Sequence, residues 1–209
     1  MIEIHSLSEV FDSVRDMDAV IFDLDDTLYS EKEYVRSGFH EAAKLLAIIP
    51  DAEQKLWRAF EDHRHAIDAV LEDEGICSEE LKQQCLAAYR QQEKPEIHLY
   101  EGAAKLLSAL RNDGKKLGII TDGRPEGQRS KIRALNLDTF VDEIIVTDEL
   151  GGILFRKPCE KAYRLMSKKL SLPFRQMAYV GDNRTKDFIA PEKLRMKSIW
   201  FHNPDGLYV

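Results

Sequence analysis

The stretch AVIFDLDDTL, residues 19–28, decides the fold. It opens on a short apolar run, and three aspartates and a threonine occupy four of the five positions from 23 to 27. A run without polar alternation is typical of a strand buried on both faces of a parallel sheet, so a strand is predicted over residues 19–24. Because residues i and i+2 of an extended chain project to the same side, we expect Asp23 and Asp25 to face one pocket at the end of this strand.

Further strands and helices are predicted later in the chain. Apolar runs rich in Ile, Val and aromatic residues span residues 116–121, 143–147, 177–181 and 197–201. Helical patterns occupy residues 103–112, 128–135 and 160–170. Strand and helix in regular succession predict right-handed crossovers, and therefore an α/β fold with a Rossmann-like, doubly wound parallel sheet.

Residues 29–98 break this alternation, because they contain no convincing strand. Their apolar positions recur at helical spacing, and Pro50 and Gly75 divide the segment into about three helices. A helical insertion of this size is a subdomain rather than a loop. The predicted organisation is an α/β core of residues 1–28 and 99–209 with an inserted all-helical cap of residues 29–98.

Composition excludes several classes of protein. The 30 Lys and Arg against 37 Asp and Glu give a net charge of −7, which argues against nucleic acid as a partner. No apolar run reaches the ~20 residues that cross a bilayer, and the first residues do not resemble a signal peptide. We therefore expect a cytoplasmic protein with no membrane partner. Three widely spaced cysteines argue against a disulfide framework. The sequence leaves the oligomeric state open.

The negative charge is concentrated in the predicted cap. Residues 29–98 hold 9 Lys and Arg against 15 Asp and Glu, whereas the rest of the chain is almost neutral. Such a cap provides no general electrostatic attraction for an anionic substrate, so anion capture must depend on local groups in the core.

Polar residues follow the ends of three predicted strands. Asp23 and Asp25 follow the first, Thr121 ends the second, and Asp182 and Asp187 follow the fourth. Parallel strands bring their carboxyl ends to one edge of the sheet, so these side chains should converge. Several carboxylates in one crevice cannot all be ionised without a cation. Hard oxygen ligands of this kind favour Mg²⁺.

These motifs, in this order, resemble the haloacid dehalogenase (HAD) superfamily. The resemblance covers an Asp-x-Asp-x-Thr motif at residues 23–27, Thr121, Lys157 and a Gly-Asp-x-x-x-x-Asp motif at residues 181–187. It continues through Gly102, Gln128, Lys131 and Pro158. The position of the helical insertion, directly after the first motif, is similar to that of the family's C1 cap. It implies a helical lid over the active site.

The resemblance implies a phosphohydrolase mechanism. Asp23 would be the nucleophile that forms an aspartyl-phosphate, and Asp25 the acid that protonates the leaving alcohol and then the base that activates water. Mg²⁺ would be held by the Asp23 carboxylate, the Asp25 carbonyl and Asp182, with Asp187 binding directly or through water.

The resemblance also implies the phosphate contacts. Thr121, with backbone N–H groups near Asp122 and Gly123, would bind the transferring phosphoryl group, and Lys157 would balance its charge. Asp122 stands where many relatives have Asn, which places an extra negative charge near the phosphate unless the side chain turns away or pairs with Arg124. In the cap, Arg36 is the candidate substrate-binding residue.

The expected function is hydrolysis of a small phosphorylated metabolite, such as a sugar phosphate or a nucleotide. Asp25 favours phosphate esters over haloacids, because an alkoxide leaving group needs a proton and a halide does not. The alternatives are a phosphomutase on the same scaffold, a 2-haloacid dehalogenase, and a receiver-type signalling domain. The receiver alternative would use Asp148 as its phosphoacceptor.

Overall fold

The computed structural model describes residues 1–207, which form two compact units. The first unit comprises Met1–Glu31 and the chain from Ile97 onwards, and the second comprises Lys32–Glu96. The sequence places the borders of the cap at residues 29 and 98, three and two residues away from these divisions.

The first unit is built on a six-stranded sheet in which every pairing is parallel. Its strands are β1 (Ile2–Ile4), β2 (Ala19–Phe22), β3 (Lys116–Thr121), β4 (Glu143–Val146), β5 (Met177–Gly181) and β6 (Lys197–Phe201). Their spatial order is β1-β6-β5-β2-β3-β4. The predicted α/β class with a parallel, Rossmann-like sheet is confirmed. Strand β1 was not predicted, because three residues with two exposed side chains give no apolar run.

Helices of the first unit connect the strands. They are α1 (Val10–Ser13), α6 (Ala103–Asn112), α7 (Pro125–Ala134), α8 (Lys161–Leu170) and α9 (Ile189–Lys193). Helix α7 begins three residues before the predicted position, because Pro125 occupies its first turn, where a proline needs no N–H partner. Its buried side chains include the polar residues Gln128, Ser130 and Lys131, and these prove important at the site.

The regular secondary structure described for residues 32–96, the second unit, consists of helices and no strands. It contains α2 (Glu31–Leu45, whose first residue belongs to the first unit), α3 (Ala52–Glu61), α4 (Ala66–Asp73) and α5 (Glu79–Arg90). The prediction of about three helices is wrong by one. The unpredicted break lies between α3 and α4, where His63 has a left-handed φ of 56° that ends the helix.

Buried apolar side chains from these helices form the unit's own core, centred on Phe39, Leu46 and Leu56. Each fully buried side chain of this size contributes about 1.5–3 kcal/mol. Across residues 1–207, no helix is both long enough and apolar enough to cross a membrane.

The register of the central strands positions the candidate site. Phe22, the last residue of β2, pairs with Ile119 of β3 on one side and with Val180 of β5 on the other. The Asp23 N–H then donates a hydrogen bond to the Val180 carbonyl at 2.8 Å. The residues that follow β2, β3 and β5 therefore lie side by side at the carboxyl edge of the sheet.

Candidate active site

Three carboxylates meet at this edge of the sheet. Asp23, Asp182 and Asp187 each offer an oxygen, and these atoms lie within 4.8 Å of one another. Asp23 and Asp187 are buried, and Asp182 is half-buried. Thr27, the last residue of the first motif, donates to Asp182 at 3.3 Å. The structure thus brings together acidic residues that are 159 positions apart in the sequence.

The buried ammonium group of Lys157 lies between two of these carboxylates. Its Nζ is 2.6 Å from Asp23 Oδ1 and 2.8 Å from Asp187 Oδ1, and it donates to the Tyr179 hydroxyl at 3.2 Å. Burial opposes its charge, but Asp187 and Asp23 outweigh burial and hold the pKa of Lys157 well above its usual range. Lys157 is therefore a permanent cation beside Asp23.

One lysine does not neutralise the cluster. Burial raises the pKa of Asp23 to about 7, although Lys157 opposes this shift. Burial, followed by repulsion from Asp23 and Asp187, raises the pKa of Asp182 to about 8. Carboxylates with raised pKa values gain from a further cation, and a buried set of hard oxygen donors fits Mg²⁺.

Asp187 offers less to a metal than its neighbours do. Its Oδ1 accepts from Lys157, and its Oδ2 accepts from the Asn183 N–H at 3.0 Å. Both oxygens are therefore engaged within the protein. This arrangement favours contact with a cation through water over direct coordination.

Asp25 points to a different set of partners. Its carboxylate accepts hydrogen bonds from Tyr29 at 2.5 Å, Gln128 at 2.7 Å and Lys131 at 2.7 Å. Burial alone would raise the pKa of Asp25, but the charge of Lys131 and these three hydrogen bonds together lower it. Asp25 is thus a fixed, ionised carboxylate, separate from the Asp23 cluster. Tyr29, Gln128 and Lys131 together form the Asp25 clamp.

Thr121 and Gly123 lie at the end of β3. Thr121 is fully buried and its Oγ1 accepts from Gln128 at 2.5 Å. Gly123 has a φ of 139°, and a Cβ at this position would lie 3.2 Å from the Gln128 side chain. A glycine is required here because the backbone turns close to the side chain that also holds Asp25.

Asp122 turns away to hold neighbouring segments together. Its Oδ1 accepts from the Thr147 hydroxyl at 2.8 Å and from the Lys157 N–H at 3.0 Å. Its Oδ2 is 3.6 Å from Lys186 Nζ, so its ionic partner is a residue of the fourth motif rather than the Arg124 considered from the sequence. The extra carboxylate, which the sequence left unexplained, positions the backbone of Lys157.

Two further residues considered from the sequence lie elsewhere. Asp148, the phosphoacceptor of the receiver alternative, is engaged by Arg156 through two bonds of 2.7 Å. Arg36 belongs to the second unit, where its guanidinium lies over the Trp57 ring at 4.5 Å. Its proposed contact with substrate is considered below.

Sequence reasoning assigned no role to the Asp25 clamp or to Lys186. Gln128 and Lys131 formed part of the family resemblance, but nothing in their spacing pointed to Asp25. The sequence feature that could have revealed the clamp is the pair Gln128 and Lys131, which lie one turn apart on a helix that packs against the sheet. Polar residues at such buried positions are seldom without hydrogen-bond partners.

Comparisons with known proteins identify a family and several relatives. A sequence family described as haloacid dehalogenase-like hydrolase matches residues 20–201. The glyceraldehyde 3-phosphate phosphatase of Methanocaldococcus jannaschii is 28% identical over 197 residues, which cover 86% of this chain and 82% of that protein. The enzyme of the same name from Pyrococcus abyssi is 36% identical over 100 residues, or 48% of this chain and 41% of that protein.

A solved structure supports the fold. The HAD-hydrolase YfnB from Bacillus subtilis, in a crystal form bound to magnesium, superposes with a TM-score of 0.62 at 23% identity, covering 89% of this chain and 87% of that one.

Proposed function

The chain belongs to the haloacid dehalogenase-like hydrolase family, and we propose that this phosphatase uses Mg²⁺ and a nucleophilic Asp23 to remove phosphate from a small phosphorylated metabolite. The observation that carries the proposal is the separation of the two motif aspartates. Asp23 lies in the cluster with Lys157, whereas Asp25 is held apart by its clamp. Asp23 is thereby placed to act as the nucleophile, while Asp25 acts as the general acid and base.

The chemistry begins with attack of an Asp23 oxygen on phosphorus. The bond from phosphorus to the ester oxygen breaks, and Asp25 gives the departing alkoxide a proton. In the second half, Asp25 removes a proton from water, which attacks the aspartyl-phosphate and releases inorganic phosphate. Because Asp25 rests ionised, we infer that it takes up the first proton from the bound phosphate monoanion.

The metal-binding groups would be the Asp23 carboxylate, the Asp25 carbonyl and Asp182, with Asp187 acting through water. A Mg²⁺ ion held by these groups would supply positive charge that offsets the repulsion between the nucleophile and the phosphate. Lys157 supplies a second positive charge, and its short distance to Asp23 orients the nucleophile. Thr121 and the N–H groups near Asp122 and Gly123 would receive the phosphoryl oxygens.

The second unit would act as the C1 cap that selects the substrate. Within this unit, Arg36 is the candidate contact for a polar or anionic part of the substrate. Replacement with Gln should raise KM more than it lowers kcat. Replacement of Arg58, another arginine of the unit, provides the control. An unchanged KM for every hydrolysed substrate would remove Arg36 from the binding site.

The substrate class is a small phosphate monoester. Curated relatives are named glyceraldehyde 3-phosphate phosphatase and phosphoserine phosphatase, so three-carbon phosphate esters come first in the test panel. Sugar phosphates and nucleotides complete it.

The test is phosphate release by purified protein from this panel and from an aryl phosphate, with Mg²⁺ or with EDTA. We expect turnover that EDTA abolishes and that Asp23→Asn eliminates, while the exposed Asp12→Asn behaves as wild type. Trapping the phosphorylated protein and mapping the modified residue should identify Asp23. Full activity of Asp23→Asn, or phosphate on Asp148, would refute the proposal.

A further inference from the structure

A second group of metal-type side chains lies at the β1–β6 end of the same sheet. Glu3 and His5 lie two positions apart along β1 and its C-terminal extension, and His202 directly follows β6. Because Glu3 pairs with Trp200 and Ile4 pairs with Phe201, these side chains share one face of the sheet. Two short, adjacent strands thus present two imidazoles and one carboxylate together.

The distances match those around a tetrahedral metal ion. Glu3 Oε1 is 3.6 Å from His5 Nε2 and 3.5 Å from His202 Nδ1. Each of the three residues also offers one ligand atom that lies within 4.8 Å of a ligand atom of the other two. Metal–ligand bonds of about 2.0–2.1 Å at tetrahedral angles separate neighbouring ligand atoms by about 3.4 Å. The carboxylate oxygen is therefore already at coordination spacing from both nitrogens.

The Nδ1 atom of His202 provides an independent observation. It is buried, and within the described residues it makes no hydrogen bond. A buried polar atom without a partner is costly, and a metal ion bound to Nδ1 would satisfy it. The ring is held in place by the parallel Trp200 ring, with centroids 5.0 Å apart and an angle of 19°.

We infer that Glu3, His5 and His202 form a binding site for a divalent transition metal of the zinc type, with water in the fourth position. Imidazole nitrogens select zinc, nickel or copper over magnesium, whereas the carboxylate cluster around Asp23 has the opposite preference. The two sites would therefore take different ions in the same protein. The metal would join β1, which pairs with a single neighbour, to β6.

Trp200 offers a direct readout that does not depend on catalysis. The chain contains two tryptophans, so Trp57→Phe leaves Trp200 as the single fluorophore of this kind. Ni²⁺ bound beside the stacked His202 should quench its emission. Untagged protein is titrated with NiCl₂ in excess Mg²⁺, which keeps the carboxylate cluster occupied.

We expect saturable quenching at one equivalent that EDTA reverses and that Zn²⁺ prevents by competition. His5→Gln and Glu3→Gln should each weaken Ni²⁺ binding at least about tenfold, as expected for loss of one ligand. His40→Gln, at an exposed histidine of the second unit, is the matched control and should change nothing. Circular dichroism spectra verify that each variant folds.

Three outcomes would overturn the inference. Equal quenching in His5→Gln, Glu3→Gln and the parent protein would mean that Ni²⁺ binds elsewhere. Loss of quenching in Asp182→Asn, with the Glu3 and His5 variants unaffected, would assign the ion to the carboxylate cluster. Absence of quenching at millimolar Ni²⁺ would also end the proposal.

Discussion

Replacing Lys131 with Met should impair turnover far more than it impairs folding. The ammonium group of Lys131 lies 2.7 Å from Asp25 Oδ1, and the two side chains are 6% and 18% exposed. Methionine retains most of the buried stem and removes the charge. Asp25 keeps its bonds to Tyr29 and Gln128, so it remains near the site with one of its three restraints missing.

The size of the effect follows from the lost bond. A hydrogen bond between charged groups contributes about 1.5–3 kcal/mol. If that energy holds Asp25 in its productive position, kcat should fall about 10- to 150-fold, at 1.4 kcal/mol per factor of ten. Loss of the ammonium also raises the pKa of Asp25, which Lys131 lowers in the intact protein. The fraction of Asp25 available as a base then falls most at low pH, so the loss should be larger at pH 5.5 than at pH 8.

Lys115→Met is the matched control. The Lys115 side chain is also 6% exposed, and it pairs with Asp113 at 3.3 Å and donates to the Met17 carbonyl at 2.8 Å. It precedes β3, at the opposite edge of the sheet from Asp25. Its replacement should lower the melting temperature while kcat stays near the wild-type value.

The assay is steady-state hydrolysis of the best substrate from pH 5 to 9 with saturating Mg²⁺, together with thermal denaturation of each variant. If the Lys131→Met protein is folded and has the wild-type kcat and the wild-type pH dependence of kcat, the proposed role of the clamp in positioning Asp25 is refuted. So would an equal loss of kcat in Lys115→Met, because the effect would then reflect general destabilisation.

Three further predictions follow from the site. The pKa values of Asp23 and Asp182 are raised to about 7 and about 8, so the metal-free native state holds protons that the unfolded chain has released, and its stability should fall as pH rises from about 4 to 8. Binding of Mg²⁺ would release those protons, so the rise in Tm on adding Mg²⁺ should grow from pH 6 to 8.5. A rise in Tm that is the same at every pH would contradict this prediction. Gly181→Ala should lower both Tm and kcat, because its Cβ would lie 2.6 Å from Asp187 Oδ2. Gly75→Ala is the control, since Gly75 has open space around it and a φ of 68°. It should lower the free energy of unfolding by only the ~1 kcal/mol of a left-handed residue and leave kcat unchanged. Asp122→Asn keeps the oxygen that accepts hydrogen bonds from Thr147 and Lys157 but removes a negative charge near the phosphate site. Tm should therefore change little, and KM should fall. A decrease in Tm as large as that of Asp122→Ala would show that the charge of Asp122 is needed for stability.

Local sequence was sufficient to predict five of the six strands of the core and its helices α6, α7 and α8. Apolar runs of strand length, the Asp-x-Asp spacing and the shared carboxyl edge of parallel strands together predicted that Asp23, Asp25, Thr121, Asp182 and Asp187 would converge. The structure brings Asp23, Asp182 and Asp187 together, whereas the Asp25 carboxylate and Thr121 both contact Gln128. These features depend on neighbours within a few residues, so a single sequence is sufficient to predict them. The number of helices in the second unit was predicted wrongly, because a single left-handed residue, His63, gives no strong local signal.

The sequence by itself determined the fold class, five of the six strands to within two residues at their carboxyl ends, and the identity of the acidic cluster. Only the tertiary structure decided which carboxylate contacts which cation: Lys157 is bound to Asp23 and Asp187, and Lys131 to Asp25. It alone paired β1 with β6 and brought His202 to Glu3. Apart from the Lys157–Asp187 pair, which spans 30 positions, these contacts join residues about 100 to 200 positions apart. The packing of whole strands and helices determines which residues come into contact, and no local sequence pattern predicts that packing.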